Sequence, residues 1–433
     1  MLDFLQEEDE ERKVEYIELI YDLIFVHAIS RCGSMLELEH GIPGRAAYVT
    51  FLLFSLAVLE IWSSSSLFIN RFPTHKGQRD ICIFVNMYFM YYLAEGIHAD
   101  WRLHYYKMHV AWVLILLHLA AQYWFALRHA EEREQYLRSE IQLLLTQAAI
   151  VALSIPFFAL TRATMSPLAL FTAVGFALTA EKSEGRAVDF PHLTERLMLY
   201  VVFSFGEMIV EMAGFFSEGV NIESIFHCLL ALSFAWGLFL SYGYMYDNII
   251  DRERSTSGDG YLLLHLVLII SLSYMTQMMG MLRNPLVPAG SKVLSITAWL
   301  VVYVVFLCFL ERYAKERAGA RYYIRLAQIT GAYVFMSFLT RDHAIVNFAV
   351  MVGYIFAVYG SLKVFHRRKI AKKPNAARAE VPASVAAEIP AAVTAEIPAA
   401  VTAEIPASTS EDSAVEESEH AEEAVTVNTP ANV

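Results

Sequence analysis

"VEYIELIYDLIFVHAIS", residues 14–30, decides how the rest of the chain is read. The stretch is apolar enough to open a membrane-spanning helix, yet it holds Glu15, Glu18 and Asp22. Glu15 and Glu18 lie near its start and reach toward an interface. Asp22 lies deeper, because Leu23 to Ile29 continue the apolar run beyond it. A carboxylate at mid-depth costs about 2.5 kcal/mol or more, and such residues are functional candidates by default. Helical spacing of three and four puts all three acids on one face, with His27 and Arg31 on another. Two readings follow for Asp22. Either it is a structural acid satisfied by a hydroxyl or arginine of a neighbouring helix, or it is a ligand for an ion, proton or substrate. The second is favoured.

The rest of the sequence repeats the apolar pattern. Of 433 residues 56% are hydrophobic and only 18% charged, and the mean hydropathy is +0.42. A soluble domain carries more charge and breaks its apolar runs sooner. Helix-length apolar segments fall at about 17–36, 46–69, 80–98, 108–127, 141–160, 166–181, 194–216, 223–247, 261–281, 291–310, 322–339 and 343–363. This predicts an all-α, polytopic transmembrane helix bundle of about twelve spans, of which the sixth is the shortest. Acids rather than a basic n-region precede the first segment, so no cleaved signal peptide is expected. The four cysteines lie in or beside apolar runs without CxxC spacing, which disfavours a disulfide framework or a thiolate metal site.

Basic residues check the topology independently. With the N-terminus cytoplasmic, the inner connections hold most of the Lys and Arg, including Arg71, Lys76, Arg79, Arg128, Arg133 and Arg138, and "KVFHRRKIAKK" follows the last span. That bias follows the positive-inside rule and supports an even span count with both ends inside, in the cytoplasmic membrane. Residues 1–16 then form a short acidic cytoplasmic segment, and about 17–365 the helical domain. The net charge of −12 belongs to the tail: from Asn375 onward eleven acids face the single base Arg378. There "EIPAAVTA" repeats every eight residues with Pro382, Pro390, Pro398 and Pro406 in register. Proline at that interval prevents a long helix, so residues 371–433 are expected to be a disordered acidic cytoplasmic tail.

Span seven, "FPHLTERLMLYVVFSFGEMIVEM" (190–212), is the counterpart of the opening stretch. His192, Arg196, Tyr200, Ser204, Glu207 and Glu211 recur at steps of three or four and form one polar stripe. His192 sits in the entry turn, where a cap or interface role is the commoner one. Arg196 is the most available partner for an acid on another helix. Glu60 and Glu95 add acids to spans two and three. Spans one and seven each precede a span with a tryptophan, Trp62 or Trp236, and a polar end, which suggests two parallel six-helix halves, about 17–181 and 192–363.

The acid-rich "ELIYDLIFV" (18–26), followed mid-chain by H-x-x-E-R-L-x-L-x-V-x-x-x-F-G-E (192–207), resembles the bacterial low-temperature-requirement A (LtrA) family over roughly residues 14–365. The resemblance implies a bacterial integral membrane protein and little about activity. From the residues themselves, an interior of carboxylates, tyrosines and serines suits a proton or cation better than an anion. The expected function is transport or conduction of a proton, cation or small solute. Asp22 and Glu207 are the central ligands, Arg196 the charge partner, and Glu18, Glu60, Glu95, Glu211, Tyr200, Ser204 and His192 further candidates. The alternatives are a membrane-embedded enzyme or envelope or lipid assembly factor using the same acids, and a structural or receptor-like protein. HExxH, P-loop, GxGxxG and G-x-S-x-G signatures are missing, so no catalytic residue, metal or cofactor is assigned. The partners expected are the lipid bilayer and a small ion or solute, not nucleic acid, and the oligomeric state is left open.

Overall fold

A computed structural model describes residues 13–36, 44–72, 76–128, 134–179, 187–216, 219–283 and 287–379. Most of the acidic N-terminal segment and the repeat tail from Glu380 lie outside the described residues. Among those described there are twelve α-helices and no strand. They are α1 (Tyr16–Ser34), α2 (Arg45–Arg71), α3 (Lys76–Ala94), α4 (Tyr105–Leu127), α5 (Glu134–Thr161), α6 (Pro167–Thr179), α7 (Phe190–Met212), α8 (Ile222–Asn248), α9 (Asp259–Gly280), α10 (Ala289–Phe309), α11 (Ala320–Leu339) and α12 (Ala344–Ala379).

Each helix falls on one of the twelve apolar segments. Eight of them (α2, α4, α5, α7, α8, α9, α10 and α12) are long and apolar enough to cross a membrane by length and composition. The other four have local reasons to differ. α1 carries Glu18, Asp22 and Arg31, α3 opens on Lys76, Arg79 and Asp80, and α11 opens on Arg321 and Arg325. α6 has 13 residues, about 20 Å at 1.5 Å per residue.

Local chemistry sets several helix starts. The Asp189 side chain accepts the His192 amide at 3.1 Å, and Pro191 follows in the first turn, where its missing N–H is harmless. Asn221 and Ser224 form a reciprocal capping box at the head of α8. Outward faces carry large apolar side chains such as Phe84, Leu160, Val210 and Ile222, as lipid-facing helices do.

The core centres on α1 and α9. α1 packs against α2, α3, α7 and α9, and α9 also packs against α2, α7 and α10. Pairings fix their directions. Against α1, residues of α3 rise in step (Glu15–Arg79, His27–Glu95), so those two helices run parallel. Against α2 the numbers run oppositely, with Asp22 meeting Trp62 and Tyr21 meeting Ser65, so that pair is antiparallel. Tight contact also ties α8 to α12, because a Cβ on Gly237 would stand 2.5 Å from Cγ2 of Ile355.

Gly237→Ala is therefore expected to overpack α8 against the branched Ile355 and to destabilise the fold by about 1–3 kcal/mol. Thermal unfolding in detergent measures this, and adding Ile355→Ala should recover most of the loss.

Candidate functional site

The seam between α1 and α7 holds the polar stripes of both helices. At its inner level Asp22 is fully buried. Arg196 Nη2 donates to Asp22 Oδ1 at 2.8 Å and Nε to Oδ2 at 3.1 Å, a two-pronged pair. Trp62 Nε1 of α2 donates to the same Oδ1 at 2.7 Å. The Arg196 guanidinium also lies 5.8 Å from the Tyr21 and Trp62 ring centres. Buried charge is tolerated here because it is paired, hydrogen-bonded and backed by aromatic faces.

One turn closer to the N-terminus, Glu18 is equally buried. Its Oε2 lies 3.8 Å from Arg196 Nη1 and 3.2 Å from His192 Nε2. The Asn70 amide nitrogen lies 3.2 Å from His192 Nδ1. Donation by Asn70 to Nδ1 places the ring proton on Nε2, the atom that faces Glu18. Asn70 also clamps the entry to α7, donating to the Asp189 carbonyl and accepting from the Asp189 amide, both at 2.9 Å. Its neighbour Arg71, also buried, bonds Tyr136 and the Ser257 carbonyl and pairs with Asp259 at 3.3 Å. The end of α2 thus fastens the starts of both α7 and α9.

Above this level the stripe continues through Tyr200. Its ring meets Trp62 edge-on at 4.9 Å, and its buried hydroxyl has no hydrogen-bond partner among the described residues. Ser204 donates to the Tyr200 carbonyl at 3.1 Å. Glu207 then receives the Ser30 hydroxyl at 2.5 Å. A cavity opens there, lined by Ser30 of α1, Ser204 and Glu207 of α7, and Ser273, Thr276 and Gln277 of α9, with Val26 and Ile29 as its apolar wall. Its volume is about 10 Å³, room for one water.

Asp22 and Glu207 therefore do not converge. They occupy separate levels of one seam: Arg196, Asp22's partner, precedes Glu207 by eleven residues, about 16 Å along α7. Asp22, one of the two expected central ligands, is paired with Arg196, the expected charge partner. Pairings rise together on both helices (Glu18–His192, Asp22–Arg196, Ser30–Glu207), so α1 and α7 run parallel. Glu211 lies farther along α7, its side chain against Gly280 of α9. Glu60 faces away from the seam and accepts from Gln147 of α5 at 3.1 Å. Glu95 follows the last turn of α3, half-exposed, 4.0 Å from His27.

Sequence reading missed Trp62 as an Asp22 donor, Asn70 as a clamp, and Ser30 and the α9 polar groups as cavity walls. Ser273, Thr276 and Gln277 do fall at helical spacing in "SLSYMTQMM" (271–279), an available signal.

The family model described as bacterial low temperature requirement A protein (LtrA) matches residues 13–401, most of the chain. The chain belongs to the LtrA family. The match reaches beyond the hydrophobic body into the octapeptide region. A search of curated proteins and of solved structures returns no match. The chain is thus an LtrA-family membrane protein with several apolar helices. The two LtrA-like motifs, 18–26 and 192–207, are the stretches that carry the buried charge network and Glu207.

Replacing Arg196 by Met leaves Asp22 buried and uncompensated, and is expected to cost about 3–5 kcal/mol. The double variant Asp22→Asn/Arg196→Met should recover most of that stability. Unfolding midpoints in detergent check both, and a single variant as stable as the wild type would remove the pair from its structural role.

Proposed function

We propose that this protein is a membrane transporter for a proton, cation or small solute, with the Glu207 cavity as its ligand seat. The observation that carries this reading is the contrast between two levels of the seam, one fully buried and one partly buried. Glu18 and Asp22 face Arg196 and His192. Among the described residues Glu207 pairs with no basic side chain, accepts only from Ser30, and lines a cavity to which three core helices bring hydroxyl and amide side chains. A carboxylate left without a countercharge in the bundle interior attracts a cation or proton. The inner level then serves as a fastening that holds α1 and α7 in register, and the outer level as the working site.

Twelve crossings with both termini on the cytoplasmic side are part of the same proposal. Parallel α1 and α7 support an even number of crossings before α7, so α6 belongs to the count despite its length. Two parallel six-helix halves gain support from neighbour relations that recur six helices later. α1 packs on α2 and α3 as α7 packs on α8 and α9; α3 packs on α4 as α9 packs on α10; α4 packs on α5 as α10 packs on α11. In this arrangement α1 and α7 meet at the axis of the repeat, the place where transporters of this build seat their substrates.

Ion flux into proteoliposomes, driven by a proton or cation gradient, tests the function. Glu207→Gln should abolish flux while keeping the wild-type unfolding midpoint to within a few degrees. Wild-type flux in this variant would overturn the assignment of the cavity.

A further inference from the structure

The Glu207 cavity has a chemical polarity of its own. Ser204 donates its hydroxyl proton to the Tyr200 carbonyl, and Thr276 donates to the Leu272 carbonyl at 2.9 Å. Ser30 donates to Glu207. In each case the proton is already committed, so what the oxygen has left to offer is lone pairs. Gln277 is almost fully buried, and its side-chain carbonyl oxygen has no hydrogen-bond partner among the described residues. Its amide nitrogen lies toward Gly33 of α1, 2.8 Å from where a Cβ would stand on that glycine. The side chain thus rests on the α1 backbone and lines the cavity, with its carbonyl oxygen still unsatisfied. The cavity contributes one carboxylate and several neutral oxygens.

We propose that this cavity binds a dehydrated monovalent hard cation of sodium size, with Glu207 supplying the charge and Ser30, Ser204, Thr276 and Gln277 the neutral oxygen ligands. This deepens the reading of the cavity as a transporter's ligand seat and rests on it. An all-oxygen donor set selects hard cations over transition metals. One carboxylate balances one positive charge, whereas a divalent ion would leave an uncompensated charge in a medium where that is expensive. The room for a single water-sized body means that a bound ion sheds its hydration shell, and the strong field of a carboxylate ligand favours the smaller sodium ion over potassium. Anions meet a carboxylate and acceptor lone pairs, and are rejected.

The full-length protein, purified in detergent, tests this by thermal unfolding at constant ionic strength as choline chloride is replaced by sodium, lithium or potassium chloride. Sodium is expected to raise Tm saturably and more than potassium, through preferential binding to the folded state. Glu207→Gln should lose the sodium response while keeping the Tm seen in choline. Thr276→Val keeps the side-chain shape but removes one oxygen, and should raise the half-saturating sodium concentration roughly tenfold. Equal Tm in sodium, potassium and choline would overturn the proposal, as would a full sodium response in Glu207→Gln. Stabilisation that appears only on lowering the pH, in choline as much as in sodium, would identify a proton site and overturn it too. Flux measurements separate this from the transport reading. Flux without any sodium dependence sinks the sodium site alone, and sodium-specific stabilisation without flux sinks transport alone.

Discussion

The Asp22–Arg196 pair is the interaction on which the arrangement of the core depends. Two charges have been taken out of water between α1 and α7, and their mutual attraction offsets that desolvation only if the geometry is good and remaining lone pairs are satisfied. Trp62 supplies the extra donor from α2, and the Tyr21 and Trp62 rings lie beside the guanidinium. A slip of α1 along α7 by one turn would strand both charges. The pair therefore fixes the register of the seam, and the register brings Ser30 level with Glu207 two turns farther along α1. The clamp by Asn70 at the head of α7 acts in the same sense from the other end.

Much of this was legible in the sequence. Apolar segments of helix length map one to one onto helices because a chain in lipid must satisfy every backbone group within the helix, which makes the hydropathy signal strong. The polar stripe of α7 was legible for a similar reason: a spacing of three and four on an otherwise apolar helix has one geometric meaning. The opposition of Arg196 to an acid was also readable, since few other intramembrane cations were on offer.

What could not be read was the pairing itself. Helical spacing tells which residues share a face, not how far one helix has slid along another. Asp22 and Glu207 stood out equally as intramembrane acids, and only the packed seam separates a neutralised acid from an unpaired one. Trp62 looked like one of two matching tryptophans, and its role as a donor depends on α2 crossing α1 at that height. Glu60 faces Gln147 rather than the seam because of the position of α5, which no periodicity in α2 encodes. The cavity walls on α9 were missed for the same reason: serine, threonine and glutamine in a transmembrane helix often satisfy themselves on their own backbone.

Two glycines let α9 come close to α1 and α7. The Gln277 side chain occupies the space a Cβ would need on Gly33, and Glu211 occupies the corresponding space on Gly280. At both points a side chain of one helix rests directly on the backbone of the next. α1, α7 and α9 therefore stand as near to one another as their side chains allow, and the gap enclosed between them is narrow. A single methyl group at either position would meet those side chains at under 3 Å and force one of them to move. The closeness of these helices thus rests on atoms that the sequence leaves out.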